Sequence, residues 1–156
     1  MKKLLIFIGL VFFITTGCKK DPETLPPPDE NGYIWLRNVK SLPLIKQTLT
    51  CNWKIHYTYG GLTGHQRVDL NNSYFKYLPN DSMYLIIEGT TWVATNKTNW
   101  TYKQTEFGFN TWVLRFEISN GMGLWDELYP SIIYNDTLSL GQNSVDPISY
   151  NMTKIP

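Results

Sequence analysis

The sequence predicts an all-β chain folded as one small antiparallel up-and-down β-barrel, with an open β-sandwich as the alternative arrangement. Three observations lead there. Short segments alternate apolar and polar side chains with the period of two that a half-buried strand requires. Between them stand brief stretches rich in Gly, Pro, Asn and Asp, the residues of tight turns. Composition agrees: six Trp, ten Tyr and seven Phe in 156 residues, with no long helical periodicity.

The elements follow in order. Trp53, Ile55, Tyr57 and Tyr59 alternate with Lys54, His56 and Thr58, and the strand ends at "GGLTG" (60–64), whose glycines suit the positive φ angles of a turn. Residues 73–78 and 83–88 form a hairpin over Pro79-Asn80-Asp81-Ser82. Residues 91–96 and 100–104 are expected to pair around Lys97-Thr98-Asn99. The clearest strand is 111–119, with Trp112, Leu114, Phe116 and Ile118 on one face and Thr111, Val113, Arg115 and Glu117 on the other. Residues 132–134, 137–140 and 149–154 complete the set, with 141–147 as the last turn. A meander of this length closes on itself, because closure removes exposed strand edges. The face expected to point inward comprises Trp53, Ile55, Tyr57, Phe75, Tyr77, Leu85, Ile87, Trp112, Leu114, Phe116, Tyr150 and Met152.

The start of the chain reads as an address. Lys2 and Lys3, an apolar run over 4–14 too short to span a bilayer, and small residues at 15–17 describe a secretory signal peptide over 1–17. "TTGC" (15–18) resembles a bacterial lipobox, although Thr15 stands where Leu is usual. That resemblance implies acyl chains on Cys18, and two or more chains anchor a protein stably. The Lys19, Lys20, Asp21 and Glu23 cluster resembles an export signal of Gram-negative lipoproteins, implying a lipid-anchored place at the outer membrane, periplasmic or surface-exposed. Residues 18–32 are expected to be a lipidated, proline-rich tether. In polyproline II its residues 19–31 hold the domain, 33–156, about 40 Å from the lipid.

Composition then limits the function. Removing Lys2 and Lys3 from fourteen basic side chains leaves twelve against thirteen acidic ones, and no basic face points to nucleic acid. With Cys18 lipidated, Cys51 is the one cysteine left, expected as a small buried apolar group in a chain without a disulfide. His56 and His65 complete no metal-ligand spacing, and no nucleophile elbow, phosphate loop or dinucleotide fingerprint is present. The carboxylates Glu106, Glu117, Asp126 and Glu127 have no spacing that faces two of them across a cleft. The expectation is a monomeric binding module without cofactor or catalysis.

The order of four stretches, from about residue 42 to 155, resembles the lipocalin-like domain of bacterial lipoproteins: "LTCNWKI" (49–55), "GGLTG" (60–64), "FKYLPNDSMYLI" (75–86) and "NDTLSLGQNSVDPISYNMTKI" (135–155). Two departures stand out. Cys51 replaces the glycine two residues before the first-strand Trp, and Lys154 is the nearest counterpart of the Arg that stacks on that Trp in many lipocalins. The resemblance implies a small apolar or amphipathic ligand in a barrel mouth. Candidate contacts are Trp53, Tyr57, Tyr77, Trp112, Phe116, Trp125 and Tyr150, unless the same bulk fills the barrel solid. "GMGLWDELYP" (121–130) is read either as a lid or as a plug for one barrel end. The alternative function is a cell-surface module engaging glycan or protein through exposed aromatics, with Trp92, Trp100 and Tyr102 as the platform. Ser82 and Thr137 sit in acidic–hydroxyl–apolar triplets that resemble O-glycosylation acceptors of exported bacterial proteins.

Overall fold

Ten strands form one antiparallel sheet in the computed structural model, which describes residues 23–61, 66–95, 98–118 and 125–156. They are β1 (Cys51–Gly60), β2 (Gln66–Asp69), β3 (Tyr74–Tyr77), β4 (Met83–Ile87), β5 (Thr90–Thr95), β6 (Asn99–Gln104), β7 (Asn110–Glu117), β8 (Trp125–Tyr134), β9 (Thr137–Gln142) and β10 (Ile148–Lys154). Neighbours run in the order β5-β4-β3-β1-β10-β9-β8-β7-β6, with β2 also beside β1. Because β10 pairs with β1, the meander returns on itself. The sheet curls strongly into a half-barrel, and the fold class is the all-β, barrel-like one expected.

The expected hairpin of 91–96 with 100–104 does not form. β5 bonds to β4, and β6 to β7. Every pairing along the nine-strand path is antiparallel, so its outer members β5 and β6 run in the same direction. The three residues between them bridge about 13 Å, whereas the length of β5 is about 20 Å. The chain therefore cannot turn back, and β6 follows β5 end to end as the second half of one bent strand. β2 and β3 repeat the device: both pair with β1, β2 over 57–60 and β3 over 51–54. Counting each bent strand once gives eight strand positions around the core.

Where β6 leaves β5, side chains tie the margin together. Trp100 Nε1 donates to Tyr77 Oη at 2.8 Å, and Thr98 Oγ1 donates to the Asp81 carbonyl at 2.7 Å. Tyr77 Oη donates to the Asp81 carboxylate, which also takes Lys46 Nζ at 2.8 Å.

Lys46 belongs to α1 (Leu42–Leu49), a helix the sequence reading lacks. Its start has a local cause: Ser41 Oγ accepts from the Leu44 amide and Pro43 sits in the first turn. Leu44, Ile45 and Leu49 are buried, and Trp53 Nε1 donates to the Leu49 carbonyl at 3.0 Å. The helix thus packs its apolar side into the concave face, where Ile55, Phe75, Leu85, Leu114, Phe116, Leu138 and Met152 join the same cluster. Most of the inward set is placed as expected.

Four further expectations are corrected. A register shift between Ile55 and Tyr57 turns Tyr57 to the outer face, so that Thr58 lies opposite the inward Tyr150. Thr111 and Val113, expected on the face opposite the inward one, are buried as fully as Leu114, and the 3₁₀ turn at Leu36–Asn38 packs on β7 and β8. Residues 125–130 are strand, not loop; Pro130 is accommodated at a bulge between itself and Ile132. Finally, residues 23–31 are not a free spacer. Leu25 packs on the core, Glu23 accepts from Ser41 Oγ, and Asp29 accepts from the amides of Asn31 and Tyr33 and from Trp35 Nε1.

Candidate functional site

The outer face carries a trough whose origin is legible strand by strand. Tyr59 pairs with Ser149, Ser149 with Gly141, and Gly141 with Tyr129, one continuous row across β1, β10, β9 and β8. Two small residues lie between two tyrosines. A Cβ on Gly141 would stand 2.4 Å from the Tyr129 ring, so glycine is what lets that ring lie against the sheet. Gly60 has φ +119°, and a Cβ there would meet the Pro147 carbonyl at 2.2 Å, so the β9–β10 turn comes in as a second wall. Phe107, 6.1 Å from Tyr129 between ring centres, and the Asp146 carboxylate complete a depression of about 360 Å³. That volume lies within the range of small-molecule sites.

The rings are held, not loose. Phe109 meets Tyr129 edge to face at 5.4 Å, and the Arg37 guanidinium lies over Phe109 at 5.2 Å. Burial raises the Tyr129 phenol pKa, with Arg37 pulling the other way. Tyr59 and Phe107 stay about two-fifths exposed and present their rings to solvent.

A second cluster faces inward. Asp126 lies two residues before buried Leu128 and opposite Phe116, which puts its carboxylate on the core side. It accepts from the Glu127 amide at 2.7 Å and from Gln142 Nε2 at 2.8 Å. Burial is the main cause that raises its pKa above the ordinary carboxylate value. Tyr150, buried and near that charge, is pushed up to about 12. Glu127 points the other way, to Lys103 and Asn143, so the adjacent carboxylates 126 and 127 are on opposite faces and form no acid–base pair. Among the described residues no group of three His, Cys, Asp or Glu side chains gathers as a metal site.

The sequence-predicted contacts divide. Trp53, Tyr77, Phe116 and Tyr150 are buried in the core, Trp112 packs against it and donates to the Lys40 carbonyl, and Tyr57 lies outside. Trp125 opens β8 opposite Glu117. Cys18 and His65 lie outside the described residues, as do 121–124 of the expected lid or plug. The expected platform of Trp92, Trp100 and Tyr102 loses its middle member, since Trp100 turns to Tyr77. Ser82 is buried, so Thr137, half-buried at the start of β9, is the more accessible of the two candidate acceptors. Lys154 stands opposite Trp53, whose indole N–H donates to the Leu49 carbonyl of α1. No local sequence pattern marks the trough residues Tyr129, Gly141 and Phe107, because the row that joins them depends on the pairing of four strands.

No protein-family model matches the chain, and neither a curated protein nor a solved structure matches it.

Proposed function

We propose that the chain is a lipid-anchored, non-catalytic binding module of the bacterial outer membrane that engages a glycan through the outer aromatic trough. The observation that carries this is the row Tyr59–Ser149–Gly141–Tyr129: exposed and seated rings flank a floor without bulky side chains, and Asp146 sits at the rim as an acceptor for hydroxyls. Flat aromatic faces favour the C–H faces of sugar rings, and one carboxylate fixes orientation. The anchor belongs to the same reading through Cys18; among the described residues no helix is long and apolar enough to cross a membrane.

The test is a glycan array probed with the full chain in detergent, followed by titration of any binder against Tyr59→Ala and Phe107→Ala. Loss of one stacking ring is expected to weaken binding about tenfold. An array without a binder ends the glycan reading.

The lipocalin-like alternative, a small amphipathic ligand held inside the curled sheet, retains one specific support. Asp126, Gln142 and Tyr150 converge on the core side, where a half-buried carboxylate costs stability and a ligand's donor would satisfy it. Against it, the apolar side chains meant to line a cavity are packed on one another and on α1. Native mass spectrometry of the gently extracted protein separates the two: an adduct lost from wild type and absent from Asp126→Asn favours the interior.

A further inference from the structure

The tether holds the next inference. A chain anchored at Cys18 through a free spacer of 19–31 would roam about 40 Å above the lipid and present every face to it in turn. The described residues do not leave it that freedom. Glu23 accepts a hydrogen bond from Ser41 Oγ, the cap of α1, and α1 has no acidic residue of its own in its first turn. A carboxylate at that end meets the positive end of the helix dipole, so Glu23 supplies from the tether the charge the helix lacks. Two residues on, Leu25 packs against the core. Further on, Asp29 ties the chain back through three hydrogen bonds before Tyr33 and Ile34 join β8.

We propose that this docked tether fixes the orientation of the domain, holding the face around Ser41 and Lys40 against the lipid headgroups. The inference rests on acylation of Cys18. Five peptide steps separate Cys18 from Glu23, a reach of about 18 Å at full extension. The headgroup layer takes up about 6 Å of that. The surface beside Glu23 is a shallow depression of about 400 Å³ with Thr24, Pro26, Asn38 and Lys40 around it and the buried Val39 and Leu44 beneath; Glu23 is turned to Ser41, and the exposed Lys40 ammonium is left to meet phosphate. β2 pairs with the far half of β1, and its Val68 lies about 25 Å along that strand from the residue that follows α1. The domain therefore meets the membrane with one face, and β2 points away from it.

The test uses the full acylated chain carrying Cys51→Ala and one fluorophore, at Asn38→Cys or Val68→Cys, both exposed positions. It is bound to vesicles of equal parts phosphatidylethanolamine and phosphatidylglycerol with a headgroup-linked acceptor. Energy transfer from position 38 is expected to exceed that from position 68 severalfold, and Glu23→Ala with Leu25→Ala is expected to bring the two together. Equal transfer from both positions in the unmodified tether, with the chain floating alongside the vesicles, overturns the docked orientation and leaves the anchor standing. A chain that does not float and whose intact mass lacks acyl groups removes the anchor and this inference with it.

Discussion

The two halves of β1 obey different rules, and one residue separates them. Before His56, strict alternation holds: Trp53 and Ile55 are in the core, Lys54 is exposed. After it, the same alternation points the other way, so that Tyr57 meets the Arg67 guanidinium at 4.0 Å on the outer face and Tyr59 becomes a wall of the trough. The shift lies between Ile55 and Tyr57, and His56 is steadied by a 2.7 Å hydrogen bond with Thr153. One extra residue exchanges the faces of everything beyond it. A strand that begins by building the core thus ends by building a surface site.

The strongest way to sharpen that comparison is to delete His56. Tyr57 then follows Ile55 directly, the ladder with β10 becomes regular, and Tyr57 and Tyr59 keep the outer face opposite Asn151 and Ser149. A cooperative thermal transition is expected to remain by circular dichroism, at a loss of about 3 kcal/mol as the bend that carries β2 and the Thr153 contact both go. His56→Ala keeps the bulge and forfeits only the Thr153 contact, a loss of about 1 kcal/mol. Similar melting of the two variants would show that the bend itself contributes nothing.

The wall of the trough offers the next largest effect. Gly60→Ala places a Cβ against the Pro147 carbonyl at φ +119°, where L side chains are strained, and about 2–3 kcal/mol of stability is expected to go in urea unfolding. Because the turn at 146–148 must move, glycan binding should fall as well. Unchanged binding beside reduced stability would place the ligand elsewhere.

These contrasts also show what could be read from the chain alone. The hairpin over Leu78 to Ser82, the strand at 110–117 and the β9–β10 pair were legible because each obeys a local period or a local turn. The bulge at His56 was not, since a period of two predicts its own continuation. β5 and β6 misled for a related reason: two strands joined by three polar residues look like a hairpin, and only the directions of seven other strands forbid it. α1 left a faint signature, Ser41 followed by Pro43 with Ile45 and Leu49 one turn apart, too short for periodicity to stand out. The trough could not be read at all. It depends on register across four strands, which is set by tertiary packing.

Tyr77→Phe sharpens the comparison from the core side. It removes the donor to Asp81 and the acceptor for Trp100 at the margin between β3 and β6, and about 1–2 kcal/mol is expected to be lost. Burial pushes the Tyr77 phenol up to about 12, with its bond to Asp81 adding to the shift. For Asp81, burial works upward, yet the hydrogen bonds from Lys46 and Tyr77 prevail and hold its pKa below the ordinary value. A depressed folded pKa gives stability that is present above the unfolded value, near pH 4, and disappears as pH falls through the folded one. Melting temperatures measured down the acid limb should therefore depend less on pH in the variant. An unaltered slope would mean that Lys46 alone sets the charge of Asp81.

The smallest effect has the opposite sign. Asp126 faces the core with its pKa raised by burial, so the folded protein holds that proton more tightly than the unfolded chain. Its ionisation then lowers stability as pH rises from the unfolded value, near 4, through the raised folded one, and the full penalty stands at neutral pH. Asn in its place carries no charge. Its oxygen accepts from the Glu127 amide, and the Gln142 amide, turned over, accepts from its nitrogen. Asp126→Asn is thus expected to raise stability at pH 7 by under about 1 kcal/mol, a gain that vanishes on acidification below the unfolded pKa. A gain identical at both pH values would assign the effect to packing. A loss at pH 7 would mean that the ionised carboxylate is satisfied on the core side, and that the inner cluster stabilises the fold on its own account.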